Sequence, residues 1–190
     1  MKTKHIFIVF ILVALVQLIV PAQMILNKES VIKQGVAYKF KTQPVDPNDP
    51  FRGKYIVLNF DIRSFKTSDS LWTRNDPVYV YLKTDSLGFA TIDNVSKVEL
   101  ESSKKDFFIA KVDHYSSYTD KVHIDLPFNR YYMEETKAYK AEVAVRDAQR
   151  DTLPNNTYAL VYVKAGETVL NDVVINEISI KDYVEEANDE

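Results

Sequence analysis

The sequence of 190 residues contains no cysteine and only four glycines. The absence of cysteine excludes a disulfide framework, thiolate chemistry, and zinc or iron–sulfur sites built on cysteine. The scarcity of glycine excludes a glycine-rich phosphate loop, which needs several glycines close together. No Gly-x-Ser-x-Gly nucleophile motif occurs either. These absences remove the commonest nucleotide-binding and serine-hydrolase patterns.

Charge of neither sign dominates the chain. The formal net charge is −3 and the sequence pI is about 5.7. A nucleic-acid-binding domain would carry a basic stripe, and none is present, so nucleic acid is not an expected partner. The hydrophobic fraction of 46% and the aromatic fraction of 12% are sufficient for a buried core. The length then predicts one globular domain with appendages.

A long apolar run lies at the N-terminus. Residues 6–20 contain one polar side chain, that of Gln17, and apolar residues predominate again over 22–26. As one helix, residues 6–26 would extend roughly 31 Å, which matches the hydrocarbon core of a bilayer at about 30 Å. We therefore predict a membrane anchor over residues 1–27, with the lipid bilayer as its partner.

A cleaved signal peptide is the alternative for this segment, because Val20-Pro21-Ala22 resembles a small-residue cleavage site. Both interpretations export the rest of the chain. Lys2 and Lys4 precede the apolar run, whereas Lys28 beyond it is offset by Glu29. The positive-inside rule then predicts a single-pass protein of the cytoplasmic membrane, with its N-terminus inside and its domain on the periplasmic or extracytoplasmic side.

Residues 28–183 carry the signals of a β-rich domain. Apolar and polar residues alternate over 36–41, and residues 55–62 give the strongest strand signal. Good helix formers without glycine or proline predict one helix over 133–148. Further strands are predicted at 78–82, 89–92, 98–100, 107–112, 122–126, 158–163 and 169–175, with an irregular loop or helical turn at 64–75 and an acidic, frayed tail at 184–190. This order predicts a mainly β (α+β) fold, an antiparallel sheet or barrel-like domain with one covering helix.

Two groups of charged residues are candidates for structural or binding roles. Asp46 and Asp49 lie in a proline-rich loop that leads to Arg52. Carboxylates in such loops cap turns or pair with a neighbouring arginine. Arg130 precedes the predicted helix, and Glu135 lies in its first turn, where the helix dipole favours an acid. We predict that the two arginines are structural and connect the loop and the helix start through these acids.

The histidines give no metal motif. His114 and His123 lie in polar, strand-like segments without a cluster of ligands nearby in the sequence. We predict that both are partly exposed residues of a sheet. The sequence assigns no catalytic residue, no metal and no cofactor.

The segment that begins at Arg52 resembles a family motif. Residues 52–60 read Arg-Gly-Lys-Tyr-Ile-Val-Leu-Asn-Phe. This is similar to the Gly-Asp-Tyr-x-x-Leu-x-Tyr pattern of the GDYXXLXY family of bacterial membrane-anchored proteins. Gly53, Tyr55 and Leu58 match the pattern, Phe60 replaces its last tyrosine, and Lys54 replaces its aspartate. Other segments that resemble the family are Pro44-Val45-Asp46-Pro47, Phe51-Arg52, and Arg130-Tyr131-Tyr132 with Glu135 and Glu142.

The resemblance implies a membrane location rather than an activity, because the family has no assigned reaction. Lys54 argues against an essential catalytic carboxylate at that position. A fainter resemblance is to the signal peptidase β-domain, in which a serine just beyond the membrane pairs with a lysine on a later strand. Ser30 and Lys83 occur in that order here, although Ser30 lacks the methionine that follows it in that family.

We therefore expect a non-enzymatic, membrane-tethered domain that binds another envelope protein. One alternative is a serine–lysine hydrolase that uses Ser30 and Lys83. The other is a binder of a small ligand or glycan that uses a tyrosine-rich surface, since the chain contains 12 tyrosines. Exposed aromatic side chains along a cleft would favour the second alternative.

Overall fold

A computed structural model describes residues 3–43, 55–134, 137, 140–141, 143–145 and 157–186. The first element is helix α1 (Thr3–Gln34), which contains Pro21. It is long and apolar enough to cross a membrane, and its apolar part is not buried by the rest of the chain that the structure describes. The predicted boundary between anchor and domain at residue 27 lies inside this helix. Its last turns pack on the domain instead of leading into a loop.

Twelve strands follow α1 within the part of the chain that the structure describes. They are β1 (Val36–Gln43), β2 (Tyr55–Val57), β3 (Asn59–Phe60), β4 (Ser64–Lys66), β5 (Pro77–Thr84), β6 (Ala90–Ser96), β7 (Phe107–Ser116), β8 (Lys121–Asp125), β9 (Arg130–Tyr132), β10 (Thr157–Lys164), β11 (Glu167–Ile175) and β12 (Ile178–Ser179). One five-stranded sheet has the order β12-β11-β10-β1-β3, and the other has the order β4-β8-β7-β5-β6. Strands β2 and β9 form a separate pair. All these strand pairings are antiparallel, which confirms the predicted fold class.

The inner faces of the two large sheets share one hydrophobic core. Its centre is a cluster of four phenylalanines, Phe40, Phe60, Phe108 and Phe128, all fully or almost fully buried. The ring of Phe128 lies 4.8 Å from that of Phe40 and 5.3 Å and 5.4 Å from those of Phe60 and Phe108. Tilted and edge-on aromatic pairs of this kind stabilise a core beyond their buried area. The cluster therefore joins β1 and β3 of one sheet to β7 of the other.

Two helical segments cover this core. Residues 137, 140–141 and 143–145 are helical, within the predicted helix, and are called α2 here. Ala141 and Val145 of α2 are buried in the core cluster. Helix α3 (Ile180–Glu186) adds the buried side chains of Ile180 and Val184. The predicted start of the tail at residue 184 therefore lies within a packed helix.

Three expectations for the strands were wrong. The predicted strand over 55–62 is two short strands, β2 and β3. The first pairs with β9 and the second with β1. The strand is interrupted between them because the Leu58 amide donates to the Asn129 carbonyl (2.9 Å). Residues 98–100 form no strand, since the Val98 and Leu100 amides donate to side-chain oxygens of Ser96 and Tyr81. The predicted loop at 64–75 begins with strand β4, which pairs with β8.

Candidate functional site

The two segments that resemble the family motif meet in the structure. Strand β2 pairs with β9, with Tyr55 opposite Tyr132 and Val57 opposite Arg130. Leu58 and Phe60, which follow β2, are buried in the core. The described part of the motif therefore has a structural role. It pairs β2 with β9, and the next strand, β3, then enters the first large sheet beside β1.

The other predicted charges are only partly placed. Asp46, Asp49, Arg52, Gly53 and Glu135 lie outside the described residues, so their connection to Arg130 stays a prediction. Arg130 itself is exposed at the start of β9. Next to it, Tyr131 is buried, and its hydroxyl donates to Asp172 (3.2 Å). Burial, together with the negative charge of Asp172, raises the pKa of Tyr131 well above its usual value, so this hydroxyl stays protonated.

Three loops meet at one end of the second sheet. They are residues 67–76, residues 97–98 after β6, and the turn 117–120 between β7 and β8, and together they are called the distal end. The Thr67 amide donates to the Asp120 carbonyl (2.9 Å). Asp69 pairs with Lys97 at 2.6 Å. These contacts connect the 67–76 loop to each of the other two loops.

Asp69 organises the longest of these loops. Its carboxylate accepts from the Leu71 amide (2.8 Å) as well as from Lys97, and its carbonyl accepts from the Trp72 indole (2.6 Å). The Lys97 ammonium lies 4.7 Å from the centre of the Trp72 ring. The hydrogen bond from Lys97, followed by that from the Leu71 amide, lowers the pKa of Asp69. The loop is therefore held in one conformation around a charged carboxylate.

The distal end exposes large apolar side chains beside a cavity. Tyr118 is 96% exposed and Leu71 is 79% exposed, and Val98 is also exposed. The cavity has a volume of about 540 Å³ and is lined by Ser70, Trp72, Arg74, Asp113, His114 and Tyr115. Tryptophan, tyrosine and arginine are the residues that contribute most to binding when they lie at interfaces. The distal end therefore combines exposed side chains that could contact a partner with a loop that is ordered around Asp69.

The two sheet histidines stack at the edge of this cavity. The rings of His114 and His123 are 4.2 Å apart and nearly parallel, at 7°. His114 Nδ1 lies 3.0 Å from the Asp113 carboxylate. His114 is exposed and His123 is partly buried, as predicted. Within the described residues, no group of three or more possible ligands is placed to hold a metal ion.

The stacked histidines predict a pH dependence of stability. Burial and then the charge of His114, with smaller contributions from Lys121 and Arg63, lower the pKa of His123, and Asp113 opposes them. The unfolded chain therefore binds a proton at His123 more readily than the folded chain does. The free energy of unfolding should then fall as the pH decreases through about 6.5. We expect urea unfolding at about pH 7.5 and about pH 5.5 to show a smaller loss of stability for His123→Gln than for the natural chain.

His5→Gln is the matched control, because it removes a histidine from the N-terminal helix and should leave the pH dependence unchanged. An identical loss of stability in His123→Gln and in the natural chain would contradict the prediction.

The end of α1 is fastened to the β10–β11 turn. Val31 is buried, and Lys28 pairs with Glu167 at 2.6 Å. Lys164 donates to the Ser30 hydroxyl (2.6 Å) and to the Gln34 side-chain oxygen (2.8 Å). These contacts join residues separated by 130 or more positions in the sequence. The helix therefore enters the domain as one of its packed elements.

The lysine beside Ser30 is not the one that the sequence suggested. Lys83 pairs with Asp93 (3.7 Å) at the end of β5, and Ser30 has Lys164 as its neighbour. A Ser-x-x-Lys spacing does occur at Ser30–Lys33, but Lys33 pairs with Glu29 at 3.0 Å. The Gln34 side-chain oxygen can only accept, so Lys164 acts there as a hydrogen-bond donor.

An apolar N-terminal helix packed onto a β-rich domain of two antiparallel sheets defines the class of protein. The family model described as GDYXXLXY protein matches residues 17–173. The match includes the end of the helix and most of the domain, so the chain belongs to the GDYXXLXY family, as its motif predicted. No curated protein and no solved structure matches the chain.

Proposed function

We propose that this chain is a membrane-anchored protein whose domain lies on the extracytoplasmic side and binds another envelope protein through the distal end. The observation that carries the proposal is the combination of exposed Tyr118 and Leu71 with a loop ordered by Asp69. The partner is an envelope protein because a domain held at the membrane meets its neighbours there.

The position of the distal end supports a binding role. Strand β7 begins beside the turn that contacts α1, where the Gly166 amide donates to the Phe107 carbonyl (3.2 Å). The strand ends at Ser116, next to Tyr118. A strand rises about 3.3 Å per residue, so these two ends are separated by about 30 Å. The distal end therefore lies well away from the helix contact, where a partner can reach it.

The side chains of the distal end also suit protein binding. Trp72 and Arg74 line the cavity, and Tyr118 stands almost free of the surface. Clustered apolar residues on a protein surface usually mark an interaction site. Since Asp69 already fixes the loop, binding does not have to order it, which reduces the entropic cost of association.

Photo-crosslinking in the native membrane tests the proposal. We expect a crosslinker at position 71 of the full chain to give a defined protein adduct. Tyr118→Ala and Trp72→Ala should each reduce its yield about tenfold or more, since the loss of an interface hot spot costs at least about 2 kcal/mol. Leu87→Ala is the matched control, because Leu87 is 77% exposed on the β5–β6 hairpin at the other end of the sheet.

Two outcomes would contradict this function. Equal adduct yields in the Tyr118, Trp72 and Leu87 variants would show that the distal end does not bind the partner. Quenching of fluorescence from Trp72, the only tryptophan, by soluble glycan fragments without any protein adduct would instead favour a small-ligand site in the cavity. A reporter enzyme that is active only outside the cytoplasm, fused after Glu190, tests the location separately.

A further inference from the structure

A second cavity lies between α1 and the β10–β11 turn. Its volume is about 480 Å³. Met24, Asn27, Lys28 and Val31 line it from the helix side. These positions follow the i, i+3, i+4, i+7 spacing of one helical face, so the cavity extends about 10 Å along the helix axis. One end of this face is the exposed, apolar Met24, and the other is Val31, buried against the domain.

The cavity lies where the apolar part of α1 ends. The apolar residues end at Leu26, and the first charged side chain of the helix after them is that of Lys28. In a chain anchored as proposed above, this level coincides with the lipid headgroups. Met24 then faces the outer edge of the acyl chains, and Lys28 faces the polar layer. The site therefore rests on the anchoring part of the proposed function.

The charges of the cavity favour an anion. Lys28, Lys164 and Glu167 line it, so their formal charges sum to +1. Glu167 pairs with Lys28, whereas the hydrogen bonds of Lys164 to described side chains go to neutral oxygens, those of Ser30 and Gln34. Among the described residues, no carboxylate lies within ion-pair distance of Lys164. As far as the described residues go, this ammonium is therefore the uncompensated charge of the site.

Ser30 adds a hydrogen-bond donor. Its oxygen accepts from Lys164 (2.6 Å), which leaves its hydroxyl proton for an acceptor in the cavity. An ammonium and a hydroxyl side by side match the oxygens of a phosphate group. The apolar end at Met24 matches the glycerol and the start of an acyl chain.

We propose that this cavity binds one anionic phospholipid, with its phosphate diester at Lys164 and Ser30 and its acyl end beside Met24. The lipid would fill the space between the anchor and the domain, and would contact both. A free phosphate has the same oxygens but no apolar part, so the two ligands can be distinguished by experiment.

Native mass spectrometry of the full chain in detergent tests this proposal, with phosphatidylglycerol, phosphatidylcholine and inorganic phosphate as separate probes. We expect one bound phosphatidylglycerol per chain and weaker binding of the other two probes. Lys164→Gln should weaken phosphatidylglycerol binding about fivefold, as expected for one lysine at an anionic membrane surface. Glu167→Gln removes the negative charge and should strengthen binding by a similar factor. Lys104→Gln, at an exposed lysine of the 97–106 loop, should leave it unchanged.

A variant that fails to fold would lose lipid binding, whichever charge it removes. Opposite effects of Lys164→Gln and Glu167→Gln on binding therefore exclude misfolding as their common cause. Equal binding of phosphatidylglycerol to all three variants would overturn the site, and equal binding of inorganic phosphate would overturn the lipid as its ligand. Flotation of the chain with phosphatidylcholine vesicles separates this result from failure of the anchor. A chain that floats but does not select phosphatidylglycerol retains the proposed anchoring and lacks the lipid site.

Discussion

Phe40→Ala should lower the free energy of unfolding by about 3–5 kcal/mol, the usual effect of removing a buried phenylalanine. Phe40 is completely buried, and its ring contacts those of Phe60, Phe108 and Phe128. The substitution therefore removes the ring that both sheets share and leaves a cavity that β-strands cannot close by small shifts. A typical domain has a total stability of only about 5–15 kcal/mol, so this loss would be a large share of it.

Urea unfolding of the full chain in detergent, followed by Trp72 fluorescence, measures this effect. Phe89→Ala is the matched control, because Phe89 is partly exposed and its ring packs edge-on against Tyr158. Phe89→Ala should lower the free energy of unfolding clearly less than Phe40→Ala does. Equal losses in the two variants would show that the phenylalanine cluster is not the centre of the core.

Gly35→Ala should disturb the junction between α1 and β1. A Cβ at this position would lie 2.4 Å from the Val31 carbonyl oxygen and 2.9 Å from that of Val163. Both atoms belong to the backbone, so neither can rotate away as a side chain could. The end of α1 must then move relative to β10. Overpacking of this kind costs about 1–3 kcal/mol.

Distances between two spin labels show whether the junction moves. The absence of natural cysteines makes Ile25→Cys and Lys121→Cys clean labelling positions, one on α1 and one on β8. We expect Gly35→Ala to shift or broaden the distance distribution between them. Gly88→Ala is the control, because its Cβ would meet open space in the β5–β6 turn, although its positive φ of 86° strains the backbone there. An unchanged distribution in Gly35→Ala would contradict the predicted movement.

The sequence predicted those elements whose pattern is local. Alternation over 36–41 predicted β1, and the runs at 158–163 and 169–175 predicted the β10–β11 hairpin. The break at Leu58 was not predictable from alternation, because one strand and two consecutive strands give the same pattern. Its cause is a hydrogen bond to Asn129, far away in the sequence.

The candidate sites were harder to predict for the same reason. Asp69 and Lys97 are 28 residues apart, and Ser30 and Lys164 are 134 apart, so only the folded topology brings each pair together. Lys83 matched the order of serine and lysine along the chain that the resemblance to the signal peptidase β-domain implied. That order alone does not determine which strand lies beside the helix. The sequence of the polar loop at 67–76 did not indicate that Asp69 would organise it. An Asx turn needs only one suitable side chain, and the sequence does not show which of the polar residues forms it.

The unbroken passage of α1 into the domain has a consequence for how the protein would meet its partner. A domain on a flexible tether samples many heights and tilts above the bilayer, and each encounter must select among them. In the membrane-anchored arrangement proposed above, the fastened helix would set one standoff distance and allow mainly rotation about the membrane normal. Part of the orientational entropy of association would then be lost before the encounter. This would raise the effective local concentration for the proposed partner if its binding surface lies at that height. In that arrangement, a partner that is too short or too tall would be excluded by geometry alone.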